Sequence, residues 1–184
     1  MDAVSIKQLI DQRISKYLKN IGISPNLITL FSLLTMLFAS YLVITDNLAG
    51  AGIFILISGG LDFLDGAVAK AKNQVTQFGT LLDRVTDRAS DFIIVASLIA
   101  SEYAHLILGL VALLTVPLAS YTSACIEAAE GSTVGERLSM RAVRIVILAL
   151  ACFTYKINEA MLLLAVIGTY SVAKRLVFAY RLLR

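Results

Sequence analysis

Long apolar runs separated by short polar links occupy most of the chain after residue 25. A helix needs roughly 20 mostly apolar residues to cross the hydrocarbon core of a bilayer. Runs near that length predict six transmembrane helices, at about 26–45, 49–71, 78–101, 104–129, 138–155 and 158–181. No Pro/Gly/Ser-rich linker divides these runs. The pattern therefore predicts an all-α integral membrane protein, a single domain over residues 1–184 in which residues 26–182 form one six-helix bundle.

The first 22 residues have a different, amphipathic pattern. Apolar residues recur there at close to helical period, and Lys and Arg residues take the other positions. This pattern predicts an N-terminal interfacial helix over residues 1–22, with its basic side toward anionic headgroups. A soluble amphipathic helix packed on the bundle is the alternative. Pro25 ends the segment, and Ser24 or Asn26 can cap the helix that follows.

Basic residues are distributed unevenly between the links. If both termini lie in the cytoplasm, all 16 Lys and Arg residues except Lys156 fall on the cytoplasmic side. Because basic residues are retained on that side during insertion, this bias predicts a multi-pass protein of the cell membrane with both termini inside. The bias also explains the formal net charge of +3, so the composition does not indicate binding of nucleic acid.

Several of the 13 acidic residues lie inside two neighbouring predicted spans, where charge is costly. They are Asp62, Asp65, Asp83, Asp87 and Asp91. Spacings of three and four place each set on one helical face, in the cytoplasmic half of its span. Clustered carboxylates repel each other unless a cation lies among them. The pattern predicts a site, open to the cytoplasm, for one or two hard cations such as Mg²⁺, Mn²⁺ or Ca²⁺.

Two other interpretations of the carboxylates stay open. Arg84 and Arg88 lie next to the acidic stripe and can make structural ion pairs; Asp91 can pair with Arg88 or support a metal ligand. A transporter or channel is the strongest rival class, because ionisable residues within spans often mark an ion or proton pathway. Such a pathway predicts polar residues in both membrane halves. Here they cluster on two spans in one half, which favours an enzyme.

Small residues lie beside the aspartates. Gly66 follows Asp65 directly, Ala67 and Ala69 lie just beyond, and Gly79 opens the third span. Small residues let a bulky phosphate-bearing ligand approach the backbone closely. Helix packing uses such residues as well, so both interpretations stay open on the residues alone.

Together these residues form a motif. The segments "DFLDGAVAK" and "GTLLDRVTD", eight residues apart, resemble the D-x2-D-G-x2-A-R-x8-G-x3-D-x3-D motif of the CDP-alcohol phosphotransferase family. The matching positions are Asp62, Asp65, Gly66, Ala69, Gly79, Asp83 and Asp87. Lys70 stands where the family usually has Arg, which keeps the positive charge but gives up the bidentate fork. The resemblance extends to chain length and to the six-span layout.

The resemblance implies a metal-dependent enzyme of phospholipid biosynthesis. Such an enzyme moves a phosphatidyl-type group from a CDP-linked lipid, CDP-diacylglycerol or CDP-archaeol, to an alcohol and releases CMP. The family further implies a homodimer and two Mg²⁺ ions, or Mn²⁺, held by Asp62, Asp65, Asp83 and Asp87, with Asp87 as the catalytic base. The residues implied in CDP-lipid binding are Asn26, Thr29, Asp62, Gly66, Ala69, Lys70, Thr76 and Gly79. For Asn26 and Thr29, helix capping is the alternative.

The acceptor is inferred from a basic cluster. Arg137, Arg141 and Arg144 share one helical face at the cytoplasmic start of the fifth span and can bind a phosphate on the acceptor. Contact with lipid headgroups is the alternative. With this cluster, "SDFIIVASLI" and "SYTSACIEAAEG" resemble the branch that makes phosphatidylinositol phosphate or its archaeal-lipid counterpart from inositol 1-phosphate. That branch tends to have basic residues where this chain has Ser-Ala-Cys at 123–125. Glycerol 3-phosphate is the alternative acceptor, and a soluble inositol-derived product is a third possibility.

Overall fold

Helices form the regular secondary structure of the described residues, which are Leu18, residues 22–130 and residues 137–182 of a computed structural model. The helices are α1 (Pro25–Ile44), α2 (Leu48–Ala71), α3 (Gln77–Ala100), α4 (Leu106–Glu130), α5 (Arg137–Thr154) and α6 (Ile157–Leu182). Each begins and ends within a few residues of its predicted bounds, which confirms the all-α prediction. The predicted interfacial helix over residues 1–22 lies outside the described residues, apart from Leu18 and Gly22.

Four of the described helices, α1, α2, α4 and α6, are long and apolar enough to cross a membrane. Helix α3 has 24 residues and is roughly 36 Å long at 1.5 Å per residue. Residues 83–91 of α3, however, include five charged side chains, and α5 begins with three arginines within eight residues. Helices α3 and α5 are regular helices, and their charged residues distinguish them from the four apolar helices.

The outward faces of the helices are apolar. Leu114 of α4 is 65% exposed and Val166 of α6 is 58% exposed, and many other large aliphatic and aromatic side chains resemble them. An apolar surface of this extent is stable against lipid and unstable against water. The chain is therefore an integral membrane protein.

The six helices form a closed ring. Their principal contacts join α1 to α2, α2 to α5, α5 to α6, α6 to α4, α4 to α3 and α3 to α1. Helix α1 bridges the two acidic helices through hydroxyl groups: Ser58 Oγ donates to the Ser32 carbonyl at 2.9 Å, and Ser40 Oγ donates to the Ile93 carbonyl at 3.0 Å. Although α2 and α3 are consecutive in sequence, α1 lies between them on one side of the ring.

The apolar core fills the half of the ring that contains the α1–α2, α3–α4 and α5–α6 links. Leu48 and Ile55 of α2, Leu98 of α3, Cys152 of α5 and Met161 of α6 all lie there and are at most 1% exposed. The acidic and basic side chains of α2, α3 and α5 lie in the opposite half. The core therefore closes the ring on one side of the charged groups.

A glycine lets α2 and α5 approach closely. A Cβ atom on Gly59 would lie 2.8 Å from both Cδ1 and Cγ2 of Ile145. Small residues are enriched where membrane helices cross, because they allow backbones to come together. Gly59 lies one turn before Asp62, and Ile145 lies one turn after Arg141. This crossing therefore brings the arginine to the carboxylate.

We expect Gly59→Ala to lower the free energy of unfolding by about 1–3 kcal/mol, because the added methyl group must displace the stiff β-branched side chain of Ile145. Thermal unfolding of the detergent-solubilised protein, followed by circular dichroism, measures this change. Gly60→Ala is the matched control, because a Cβ there meets nothing within 4 Å and alanine favours the helix. Equal melting temperatures for the two variants would contradict the close crossing.

Candidate active site

Three carboxylates from two helices converge inside the ring. Asp62 comes from the second half of α2, and Asp83 and Asp87 lie one turn apart on α3. One oxygen atom from each carboxylate lies within 4.8 Å of the other two. The side chains of Asp62 and Asp87 are only 15% and 13% exposed. The structure thus brings together three of the four predicted metal ligands.

The fourth predicted ligand, Asp65, is bound to a different helix. Thr29 Oγ1 of α1 donates a hydrogen bond of 2.5 Å to Asp65 Oδ2. Both residues are buried, with 4% and 5% of their surface exposed. Thr29 was predicted either to reach the nucleotide or to cap a helix. Here its hydroxyl holds the Asp65 carboxylate against α1, one turn along α2 from Asp62.

Arg141 of α5 reaches into the carboxylate cluster. Its guanidinium forms ion pairs with Asp62 and with Asp87, and its side chain is 11% exposed. Arg88 adds a second positive charge, since its Nη2 lies 3.5 Å from Asp87 Oδ2. Arg141 was predicted to bind the acceptor phosphate. The structure places it on two of the predicted metal ligands, Asp62 and Asp87.

A second ion pair joins α5 to α3, one turn farther along each helix than Arg141 and Asp87. Arg144 Nη2 of α5 lies 2.9 Å from Asp91 Oδ2 of α3, and each side chain is 12% exposed. Arg88, the partner suggested for Asp91 by sequence, instead donates to the hydroxyl of Ser120 on α4 and contacts Asp87. Arg144 is therefore paired with a carboxylate. The side chain of Arg137, the third arginine of the predicted phosphate-binding cluster, lies outside the described residues.

The predicted nucleotide residues meet at the adjoining helix ends. Thr76 caps α3, because its Oγ1 accepts a hydrogen bond of 2.9 Å from the Gly79 N–H. A Cβ on Gly79 would lie 3.1 Å from Asn26 Oδ1 of α1, so this glycine lets the starts of α1 and α3 approach each other. In contrast, a Cβ on Gly66 would meet nothing within 4 Å. Space beside Gly66 favours ligand approach over helix packing at that position.

The remaining predicted contact residues lie on the same stretch of α2. Lys70 is exposed and Ala69 is partly buried. Both follow Asp65 and Gly66 toward the end of the helix. Lys70 therefore places an exposed cationic side chain beyond the carboxylates, near the C-terminal end of α2.

Several contacts to α4 and α6 had no signal in the sequence. Arg84 Nη2 lies 3.6 Å from Glu127 Oε2, and the guanidinium of Arg175 on α6 donates to the carbonyl of Ala119. The partners are separated by 43 and 56 positions along the chain. No local spacing connects such residues, so only the packing of the helices could identify these pairs.

The donor set fits a hard divalent cation. Two carboxylates 4.8 Å apart repel by roughly 3 kcal/mol at an effective dielectric constant of 20. Three carboxylates against the guanidinium of Arg141 leave an excess of negative charge, which a cation such as Mg²⁺ or Mn²⁺ would neutralise. Clustered carboxylate oxygens are the ligands that these cations prefer. Asp62, Asp83 and Asp87 are therefore a candidate metal centre.

Comparison with known proteins identifies a family that the chain matches over most of its length. The CDP-alcohol phosphatidyltransferase family model matches residues 22–176. Archaetidylinositol phosphate synthase of Pyrococcus horikoshii is 30% identical over 164 residues, covering 89% of this chain and 87% of the relative. The enzyme of the same name from Methanothermobacter thermautotrophicus is 31% identical over 170 residues, with the same coverage of 89% and 87%.

Solved structures of a bacterial relative have the same fold. Mycobacterium tuberculosis phosphatidylinositol phosphate synthase with CDP-DAG bound superposes with a TM-score of 0.73 at 24% identity, over 93% of this chain and 94% of that chain. Its complex with manganese and citrate gives a TM-score of 0.73 at 23% identity, over 92% and 88%. At this level of identity the likeness establishes the fold.

We expect Asp83→Asn to weaken Mn²⁺ binding by at least about tenfold, because it removes one charged ligand from the cluster. Electron paramagnetic resonance of free Mn²⁺ during titration of the purified protein measures the affinity. Asp46→Asn is the control: Asp46 lies in the link at the opposite end, where it accepts a hydrogen bond of 2.9 Å from Tyr103. Wild-type affinity in Asp83→Asn would exclude Asp83 as a ligand.

Proposed function

The chain belongs to the CDP-alcohol phosphatidyltransferase family, and on that premise we propose that it transfers a phosphatidyl-type group from a CDP-linked lipid to inositol 1-phosphate. The reaction itself follows from family membership. The reaction is assigned to this site because the carboxylates of Asp62, Asp83 and Asp87 converge there. The choice of acceptor is supported by two relatives of about 30% identity that are archaetidylinositol phosphate synthases.

We propose that the chain is a single six-span domain. It is oriented with both termini and the site toward the cytoplasm. This orientation is supported by the distribution of the 16 basic residues, of which only Lys156 falls on the other side. The apolar core closes the far half of the ring, which suits an enzyme with one open side better than a transport pathway. We also propose a homodimer, as the family resemblance implies.

We propose two Mg²⁺ ions, or Mn²⁺, as the cofactor. Asp62, Asp83 and Asp87 would hold the metal, and Asp65 is within one turn of Asp62 on the same helix. When bound, the cations neutralise the pyrophosphate and stabilise the attacking and leaving oxygens of an in-line displacement. The relative crystallised with manganese and citrate supports a divalent metal in this family.

The protein's own residues position the substrates and move a proton. Asp87 accepts the proton of the acceptor hydroxyl, and the charge of Arg88, whose Nη2 is 3.5 Å away, helps to hold that carboxylate in place. The acceptor oxygen forms a bond with the lipid-side phosphorus, and the bond from that phosphorus to the bridging oxygen breaks as CMP leaves. Lys70 and the open backbone at Gly66 would receive the nucleotide diphosphate.

Asn26, Thr76 and Gly79 would line the nucleotide end of the site. They meet where α1 and α3 begin, next to the Thr29–Asp65 hydrogen bond. Helix starts also offer free backbone N–H groups to anions. The starting turns of α1 and α3 therefore add to the positive field in which CMP forms.

The phosphate of the acceptor would bind the arginines at the start of α5. The side chain of Arg141 can reach Asp87, so an acceptor phosphate bound by Arg141 would lie near that base. Arg144 contributes one turn deeper by holding α5 against Asp91. Glycerol 3-phosphate carries the same phosphate and remains the second candidate acceptor.

The acceptor assignment is tested with a panel of alcohols. Purified protein with Mg²⁺ and CDP-archaeol or CDP-diacylglycerol is given inositol 1-phosphate, inositol, glycerol 3-phosphate or serine, and CMP release is measured. We expect inositol 1-phosphate to exceed inositol and serine by at least about tenfold in kcat/KM, because an acceptor without a phosphate forms no charge-assisted hydrogen bonds with Arg141. A higher kcat/KM for glycerol 3-phosphate would transfer the assignment to that acceptor.

Asp87→Asn is expected to lower kcat by at least about 10²-fold, because an amide cannot accept the hydroxyl proton. Binding of the CDP-lipid, measured separately by isothermal titration calorimetry, should change much less than turnover. Asp46→Asn at the far end again serves as the control for the loss of one carboxylate. Appreciable turnover in Asp87→Asn would remove its role as the base.

A further inference from the structure

Arg141 occupies a position that its predicted role does not explain. An arginine that only binds an acceptor phosphate needs no contact with metal ligands. Arg141 nevertheless forms ion pairs with Asp62 of α2 and with Asp87 of α3, and its side chain is 11% exposed. Among the described residues, no other cationic side chain is ion-paired to both α2 and α3.

Arg141 and a divalent cation need the same carboxylates. Asp62 and Asp87 are two of the three members of the candidate metal centre, and the oxygens of that centre lie within 4.8 Å of one another. A guanidinium and a metal ion are both cations that require carboxylate lone pairs. Both cannot hold this small cluster at once without strong mutual repulsion.

We infer that Arg141 and a divalent cation are alternative partners of Asp62 and Asp87, so that metal binding moves the guanidinium off these carboxylates. Arg141 then becomes available to a phosphate. This second half rests on the proposed function, in which that phosphate belongs to the acceptor. The exchange would couple the two binding events, because the acceptor meets an available arginine only after the metal is in place.

The surroundings of Arg141 allow the side chain to move while the helix stays in place. One turn along α5, Arg144 remains paired with Asp91 at 2.9 Å. The close approach of Gly59 and Ile145 holds the same part of α5 against α2. The long, flexible side chain of Arg141 can therefore swing away by rotation about its own bonds, with no shift of helix register.

Mn²⁺ affinity in the absence of substrates tests the exchange. We expect Arg141→Gln to bind Mn²⁺ about tenfold more tightly than the wild type, because the competing cation is gone. Arg144→Gln is the matched control: it removes the same charge from the same helix but contacts Asp91 rather than the cluster. We expect its affinity to stay within about twofold of the wild type. Free Mn²⁺ is followed by electron paramagnetic resonance on the detergent-solubilised full chain.

The outcomes separate this inference from the proposed function. Unchanged or weaker Mn²⁺ binding in Arg141→Gln overturns it, as does an equal gain in both variants, which would indicate a general effect of charge. A wild type that binds no Mn²⁺ overturns the metal-dependent function as well. Without metal, Arg141→Gln should melt below the wild type, and added Mn²⁺ should raise its melting temperature by more than that of the wild type.

A conservative variant covers the case in which Arg141→Gln does not yield folded protein. Arg141→Lys keeps the charge but has a single ammonium group in place of the planar fork, so it competes less well for two carboxylates. We expect it to bind Mn²⁺ more tightly than the wild type, by a smaller factor than Arg141→Gln. An affinity below that of the wild type would overturn the inference. Elution as a single peak in size-exclusion chromatography confirms the fold of each variant.

Discussion

Mutual repulsion among Asp62, Asp83 and Asp87 is the constraint on which the site depends. Their oxygens lie within 4.8 Å of one another in a bundle surrounded by lipid. Such a cluster stays ionised only beside positive charge, because carboxylates in a low-dielectric setting otherwise take up protons. Arg141 supplies this charge from α5 and Arg88 from α3. The same need for positive charge makes the cluster suitable for divalent metal and, next to it, for a pyrophosphate.

The ring of helices places the apolar core in one half and the charged groups of the site in the other. Its apolar half holds the buried core, including Ile55, Leu98 and Met161, which are fully buried. The other half holds the charged groups, and the Asp91–Arg144 pair lies between the two. Buried ion pairs often contribute little net stability, since desolvation offsets the attraction. The apolar half therefore provides the rigid frame, and the charged half can be devoted to ligands.

Glycines illustrate how far sequence reasoning could go. Gly59, Gly66 and Gly79 all lie near the aspartates, and the sequence left packing and ligand approach open for Gly66 and Gly79. The structure assigns close helix contact to Gly59 and Gly79, whose added Cβ atoms would lie 2.8 Å from Ile145 and 3.1 Å from Asn26 on neighbouring helices. It leaves open space at Gly66. This distinction depends on what lies across the helix interface, which local sequence does not contain.

The sequence alone determined where the helices lie and which carboxylates could share a face, because run length and a spacing of three or four are local properties of a helix. Only the tertiary structure decided the partners. Asp65 accepts a hydrogen bond from Thr29 on α1, while Arg141 pairs with Asp62 of α2 and Asp87 of α3. Partner choice follows from the order of helices around the ring. That order arises from contacts between distant segments, and no local periodicity encodes it.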